Sequence, residues 1–120
     1  MSQQEEKRTD YGTVKIHRNV IVQIARVAAV ETEGVSRISQ DIFSRLLDLA
    51  TKGKISRHPV KIEFRENNEV VISIGIVVNY GVNIPEVAAS VQEKIKKSVE
   101  KMTGLYLTDV HIKVKGVEVK

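Results

Sequence analysis

VKIEFRENNEVVISIGIVV, Val60 to Val78, is the stretch on which the fold turns. Its first five residues alternate, with Val60, Ile62 and Phe64 set against Lys61 and Glu63. Alternation at period two marks a strand with one buried face. Glu66 to Glu69 reads as a turn, because Asn67 and Asn68 tolerate the positive φ that tight turns need. Val70 to Val78 returns as a second strand, so the two runs predict a β-hairpin. Ile72, Ile74, Ile76 and Val78 share one face of it. Val71, Ser73, Gly75 and Val77 share the other, which is smaller and less apolar and is expected to be partly open or to lie under a partner. Gly75 is expected to relieve crowding or to mark a bulge.

Downstream, Asn83 is placed to cap a helix, with Glu86 at the spacing of a capping box and Pro85 in the first turn. Val87, Ala88, Val91, Ile95, Val99 and Met102 form its expected buried stripe. Glu93 and Lys97 make an i,i+4 ion pair, and Gly104 ends the helix. Val110 to Val119 is a closing strand, with Val110, Ile112 and Val114 inward and His111, Lys113 and Lys115 outward. Upstream, Thr13 to His17 alternates as a short strand. Asn19 then caps a helix that buries Val20, Ile21, Ile24, Val27, Ala28 and Ala29, and Gly34 lies just past its end. Asp41 to Ala50 predicts a short helix with Ile42, Phe43, Leu46, Leu47 and Ala50 on one stripe, followed by a basic loop, Thr51 to Pro59.

The predicted order is β-α-β-β-α-β, with the extra short helix before the hairpin. Such an order predicts an α+β domain: a small sheet around a central β-hairpin, with two main helices on one face. Residues 1–10 read as a disordered tail and 11–120 as a single domain. At 120 residues and 42% hydrophobic content the chain can bury a core, and at 4% aromatic that core must be aliphatic.

The chemistry on offer is sparse. With no cysteine there are no disulfides and no thiolate metal sites, which fits a reducing cytosol. The longest apolar run, Val70 to Val78, is far short of the roughly 20 residues of a membrane helix. His17, His58 and His111 are isolated from one another and from paired carboxylates. Nucleophile elbow, P-loop and dinucleotide fingerprints are absent. No catalytic, cofactor-binding or metal residue is assigned, and no small-molecule substrate is expected.

A net charge of +4 permits an anionic partner. Lys94, Lys96, Lys97 and Lys101 crowd one helix, and Lys52, Lys54, Arg57 and His58 crowd one loop. Either cluster could contact phosphates, which makes an RNA-binding or ribosome-associated module the alternative reading. Against it, Glu93 and Glu100 interrupt the helical lysines, and aromatic residues do not interleave with either cluster.

Tyr80 to Val117 carries Tyr-Gly, Ile-Pro-Glu-Val-Ala, Val-Gln-Glu-Lys, Met-Thr-Gly-Leu and a closing Val-Lys-Gly-Val. Tyr11 to Ile38 adds an opening that includes Glu33-Gly34-Val35. With these motifs in this order the chain resembles the alkaline shock protein family, small bacterial proteins linked to the cell envelope. The resemblance implies a non-enzymatic cytoplasmic protein, in some members held at the inner face of the membrane by a separate anchored partner. The expected function is therefore a scaffold in envelope homeostasis or stress response that self-associates and docks on a membrane-anchored protein. Ile42, Phe43, Leu46, Leu47 and Tyr80 are its expected contact residues. Lys52, Lys54, Arg57, Lys94, Lys97 and Lys101 are its expected basic surface. Direct peripheral binding to anionic lipid through the short helix is a third reading.

Overall fold

A computed structural model describes residues 4–9, 12–39, 60–66 and 69–119, with side chains described within 18–39, 60–66 and 69–119. The predicted α+β architecture is present. In chain order it comprises β1 (Gln4–Thr9), β2 (Gly12–His17), α1 (Arg18–Glu31), β3 (Val35–Ile38), β4 (Val60–Phe64), β5 (Glu69–Asn79), α2 (Ile84–Thr103) and β6 (Tyr106–Glu118).

The hairpin is where the alternation placed it. β4 pairs antiparallel with β5, Phe64 opposite Val70 and Val60 opposite Ile74. β3 continues along the same edge of β5, antiparallel, opposite Ile76 to Val78. β6 runs parallel to β5 along the other edge, from Glu69–Tyr106 to Asn79–Glu118. The strand β5 is thus the spine of the sheet, and α2 is the crossover that a parallel neighbour requires.

Both helices join the core on one face. Ile72, Ile74, Ile76 and Val78 are fully buried together with Ile21, Ile24, Ala25, Ala28 and Ala29 of α1 and Val87, Val91, Ile95 and Val99 of α2. Each of the isoleucines and valines among them contributes about 1.5–3 kcal/mol. The ends of α2 match the expected caps. Asn83 Oδ1 accepts from the Glu86 N–H at 3.1 Å, and Gly104 closes the helix at φ 73° with its N–H on the Glu100 carbonyl.

Several expectations are corrected. Gln4–Thr9 was expected within a disordered tail, but it forms β1, paired with β2 in a separate two-stranded sheet. Main-chain pairing supplies order that a polar, mixed-charge composition does not advertise. β3 was not anticipated, because four residues carry too little alternation to read. Arg18 begins α1, so Asn19 lies inside the first turn and is not its cap. Val20 and Val27 face solvent, and Ala25 takes the core position. Met102 is 70% exposed, because Thr103 completes the four-residue spacing set by Val91, Ile95 and Val99. The second face of β5 is not open: Val71 and Val77 are buried, and the Lys115 stem and Ser39 lie over Gly75. Gly75 relieves crowding, since a Cβ there would sit 3.3 Å from Lys115 Cγ. The short helix expected over Asp41 to Ala50 lies outside the described residues.

Two glycines with positive φ separate strain from space. Gly34 (φ 97°) leaves no room for a Cβ, which would meet Val87 Cγ2 at 2.7 Å, whereas Gly81 (φ 94°) has nothing within 4 Å. Gly81→Ala is expected to cost about 1 kcal/mol of left-handed strain. Gly34→Ala adds a core clash of about 1–3 kcal/mol. Urea denaturation of the two variants checks this, and equal losses would refute the packing role of Gly34.

Candidate functional site

The strand-to-helix corner after β5 is built by main-chain bonds. Asn79 N–H donates to the Gly34 carbonyl at 2.9 Å, and Tyr80 N–H donates to the Glu118 carbonyl at 2.9 Å. Gly81 turns the chain at positive φ, and Asn83 starts α2. These bonds fix the backbone of Tyr80 and leave its ring 73% exposed. The ring is therefore not spent on covering the sheet edge. The bond to Glu118 also brings the end of β6 alongside, where Val119 is 73% and Val117 48% exposed. Ile84, in the first turn of α2, is exposed as well. Glu118 anchors this end of β6 to β3: its carboxylate accepts from the Ser36 hydroxyl and lies 3.5 Å from Arg37 Nε.

Sequence spacing singled out Tyr80 but missed Val117, Val119 and Ile84. Val117 and Val119 alternate one residue out of phase with Val110, Ile112 and Val114, past the irregularity at Lys115. Only the tertiary bond from Tyr80 to Glu118 shows that they end beside an exposed tyrosine. Ile42, Phe43, Leu46, Leu47, Lys52, Lys54 and Arg57 lie outside the described residues.

The helical lysines do not form an open cationic patch. Lys97 Nζ lies 2.9 Å from Glu93, and Lys94 Nζ lies 3.7 Å from Glu31 across the two helices. Lys96 Nζ sits 5.8 Å from the centre of the Tyr106 ring. Lys101 is exposed in the last turn, where it favours the helix dipole. At Lys94 and Lys97, phosphate would compete with Glu31 and Glu93.

Between α2 and β6 runs an open groove of about 330 Å³, lined in part by Ala89, Gln92, Lys96, Asp109 and Val110. Gln92 Nε2 donates to the Val110 carbonyl at 2.9 Å. Among the described residues, no strand pairs with the far edge of β6. Also among them, no cluster of three or more His, Cys, Asp or Glu could hold a metal ion, and no helix is long and apolar enough to cross a membrane.

Residues 6–119 match the alkaline shock protein 23 family, of cell envelope-related function. The chain belongs to this family. Two relatives come from Bacillus subtilis (strain 168). Protein YloU is 36% identical, with 95% of this chain and 95% of that one covered. Protein YqhY is 32% identical, with 95% and 83% covered. A stress response regulator gls24 homolog of Streptococcus pyogenes (serotype M3, strain ATCC BAA-595 / MGAS315) is 24% identical, with 91% of this chain and 60% of that one covered. Among solved structures, MamM-CTD 215–293 aligns at a TM-score of 0.51 and 11% identity, over 83% of this chain and 99% of that one. At that identity the likeness is one of fold alone. Membership of the alkaline shock family carries the coarse function with it, a role tied to the cell envelope or to stress.

One titration is marked. The hydrogen bond from Lys97, and then its charge, hold the Glu93 carboxyl below its ordinary value. Because the folded-state value is the lowered one, the pair stabilises above the unfolded-state pKa, and that contribution is lost as pH falls through the folded one. Lys97→Ala is expected to move the Glu93 titration upward, read by carboxyl-carbon NMR. An unmoved Glu93 curve would remove Lys97 as the cause.

Proposed function

We propose that the protein is a non-enzymatic scaffold of the cell envelope. It works in the cytoplasm at the inner face of the membrane, associates with itself and docks on a membrane-anchored protein. The observation that carries this reading is the apolar corner of Tyr80, Val117, Val119 and Ile84, held by main-chain bonds and presented to solvent. Tyrosine is favoured as an interface anchor because it brings a large apolar area with few torsions to freeze. A second apolar surface lies on α1, where Val20, Val27 and Val30 are exposed on the side away from the core. Family membership supplies the envelope, and the corner supplies a surface by which a protein can be held there.

Cell fractionation tests the proposal. Membranes washed at high salt and treated with nuclease are expected to retain the protein, because an apolar contact survives ionic strength that strips phosphate contacts. Tyr80→Ala with Val119→Glu is expected to weaken docking by about 2 kcal/mol, roughly thirtyfold, while far-UV circular dichroism stays native. Release of the unaltered protein by nuclease, or its sedimentation with ribosomes, would replace the scaffold by the RNA-binding reading.

A further inference from the structure

We infer that the free edge of β6 pairs with β6 of a second copy, antiparallel about a two-fold axis at His111, joining two sheets into one. The inference rests on the self-association in the scaffold reading and names its surface and register. Edge strands expose unpaired N–H and C=O groups and are templates for a further strand. β6 has 13 residues, and no strand among the described residues pairs with that edge. Its pairing with β5 is irregular in two places, which set Thr108 and Lys115 out of register. Between them Asp109 to Val114 is regular, so this is the segment a second strand can follow.

The side chains select the register. Asp109, His111 and Lys113 are exposed and stand opposite Val71, Ser73 and Gly75 on the outer face of the sheet. Val110 and Ile112 point inward and are only half-buried, as expected of an edge that lacks a neighbour. With His111 opposite its own copy, Asp109 of each chain faces Lys113 of the other. Val110 of each then faces Ile112 of the other. Opposite charges and apolar pairs that face each other directly stabilise a sheet, and like charges destabilise it. A shift of one residue would set inward side chains against outward ones. Moving the axis to Ile112 instead opposes His111 to Lys113 and draws on the out-of-register Lys115. Moving it to Lys113 opposes that lysine to itself. Only the axis at His111 keeps both aspartate–lysine pairs inside the regular segment.

The backbone agrees. The exposed Gln92 side chain donates to the Val110 carbonyl, and we take that carbonyl to lie on the free edge. Residues 110 and 112 then carry the edge hydrogen bonds, and His111 falls in the non-hydrogen-bonded pair, where side chains approach most closely. On pairing, the Val110 carbonyl passes from Gln92 to the Ile112 N–H of the second copy.

The absence of cysteine makes the register directly readable. Directly opposed Cβ atoms lie about 4.5–5.5 Å apart, near the reach of a disulfide. Asp109 and its own copy would be separated by four residues, roughly 13 Å. His111→Cys in the full chain is therefore expected to form a covalent dimer under oxidised glutathione. Asp109→Cys and Lys113→Cys are each expected to form no covalent dimer alone and to cross-link when mixed. Asp109→Lys should raise the dimer dissociation constant at least about tenfold, and Asp109→Lys with Lys113→Asp should restore it. Sedimentation of the unaltered protein separates the two ways of failing. A dimer whose His111→Cys form does not cross-link overturns the β6 edge and leaves self-association standing. A monomer at every concentration overturns self-association itself, and the edge pairing with it.

Discussion

Burial of β5 on both faces is the constraint from which the rest follows. Ile72, Ile74, Ile76 and Val78 need helices over them, and Val71 and Val77 are buried on the opposite side. A strand buried on both faces cannot also leave its amides unpaired, because each buried, unsatisfied group costs about 1–3 kcal/mol. Hence both edges of β5 are taken: one by β6, the other divided between β3 and β4. β3 ends opposite Ile76 and β4 begins opposite Ile74, so the two strands together cover that edge of β5.

The parallel pairing of β6 has its own consequence. A parallel neighbour must be reached by a crossover, and α2 supplies it on the same face as α1. The four-residue spacing of Val87, Val91, Ile95, Val99 and Thr103 seats α2 on the sheet. The residues off that stripe, Lys94 and Lys97, turn to neighbouring carboxylates. The excess of positive charge in the composition thus overstates what this helix offers an anion.

Legibility in the sequence followed range. β4 and β5 could be read because alternation and β-branched residues act over a few positions. The caps of α2 could be read for the same reason: Asn83, Pro85 and Gly104 each satisfy a local backbone need. What failed was long-range or too short to carry a pattern. β3 has four residues, and β1 is polar and is ordered by its pairing with β2. Val20, Val27 and Met102 are apolar residues on helices that also carry a core stripe, and only packing decides which apolar residue is inside. The candidate site divides in the same way. Tyr80 stood out because a strand-to-helix corner does not require a tyrosine. Its neighbours Val117 and Val119 did not, because their proximity depends on a bond between residues 38 positions apart.

The two exposed features of β6 are products of one topology. By running parallel to β5 over its whole length, β6 ends beside the corner where β5 turns into α2. That places Val117 and Val119 next to Tyr80 and keeps the far edge of Asp109 to Val114 clear of the core. One strand therefore offers an apolar end and a charged, hydrogen-bonding edge, pointing in different directions. The irregularity at Lys115 lies between the two, so the apolar end and the regular edge are distinct surfaces of one strand.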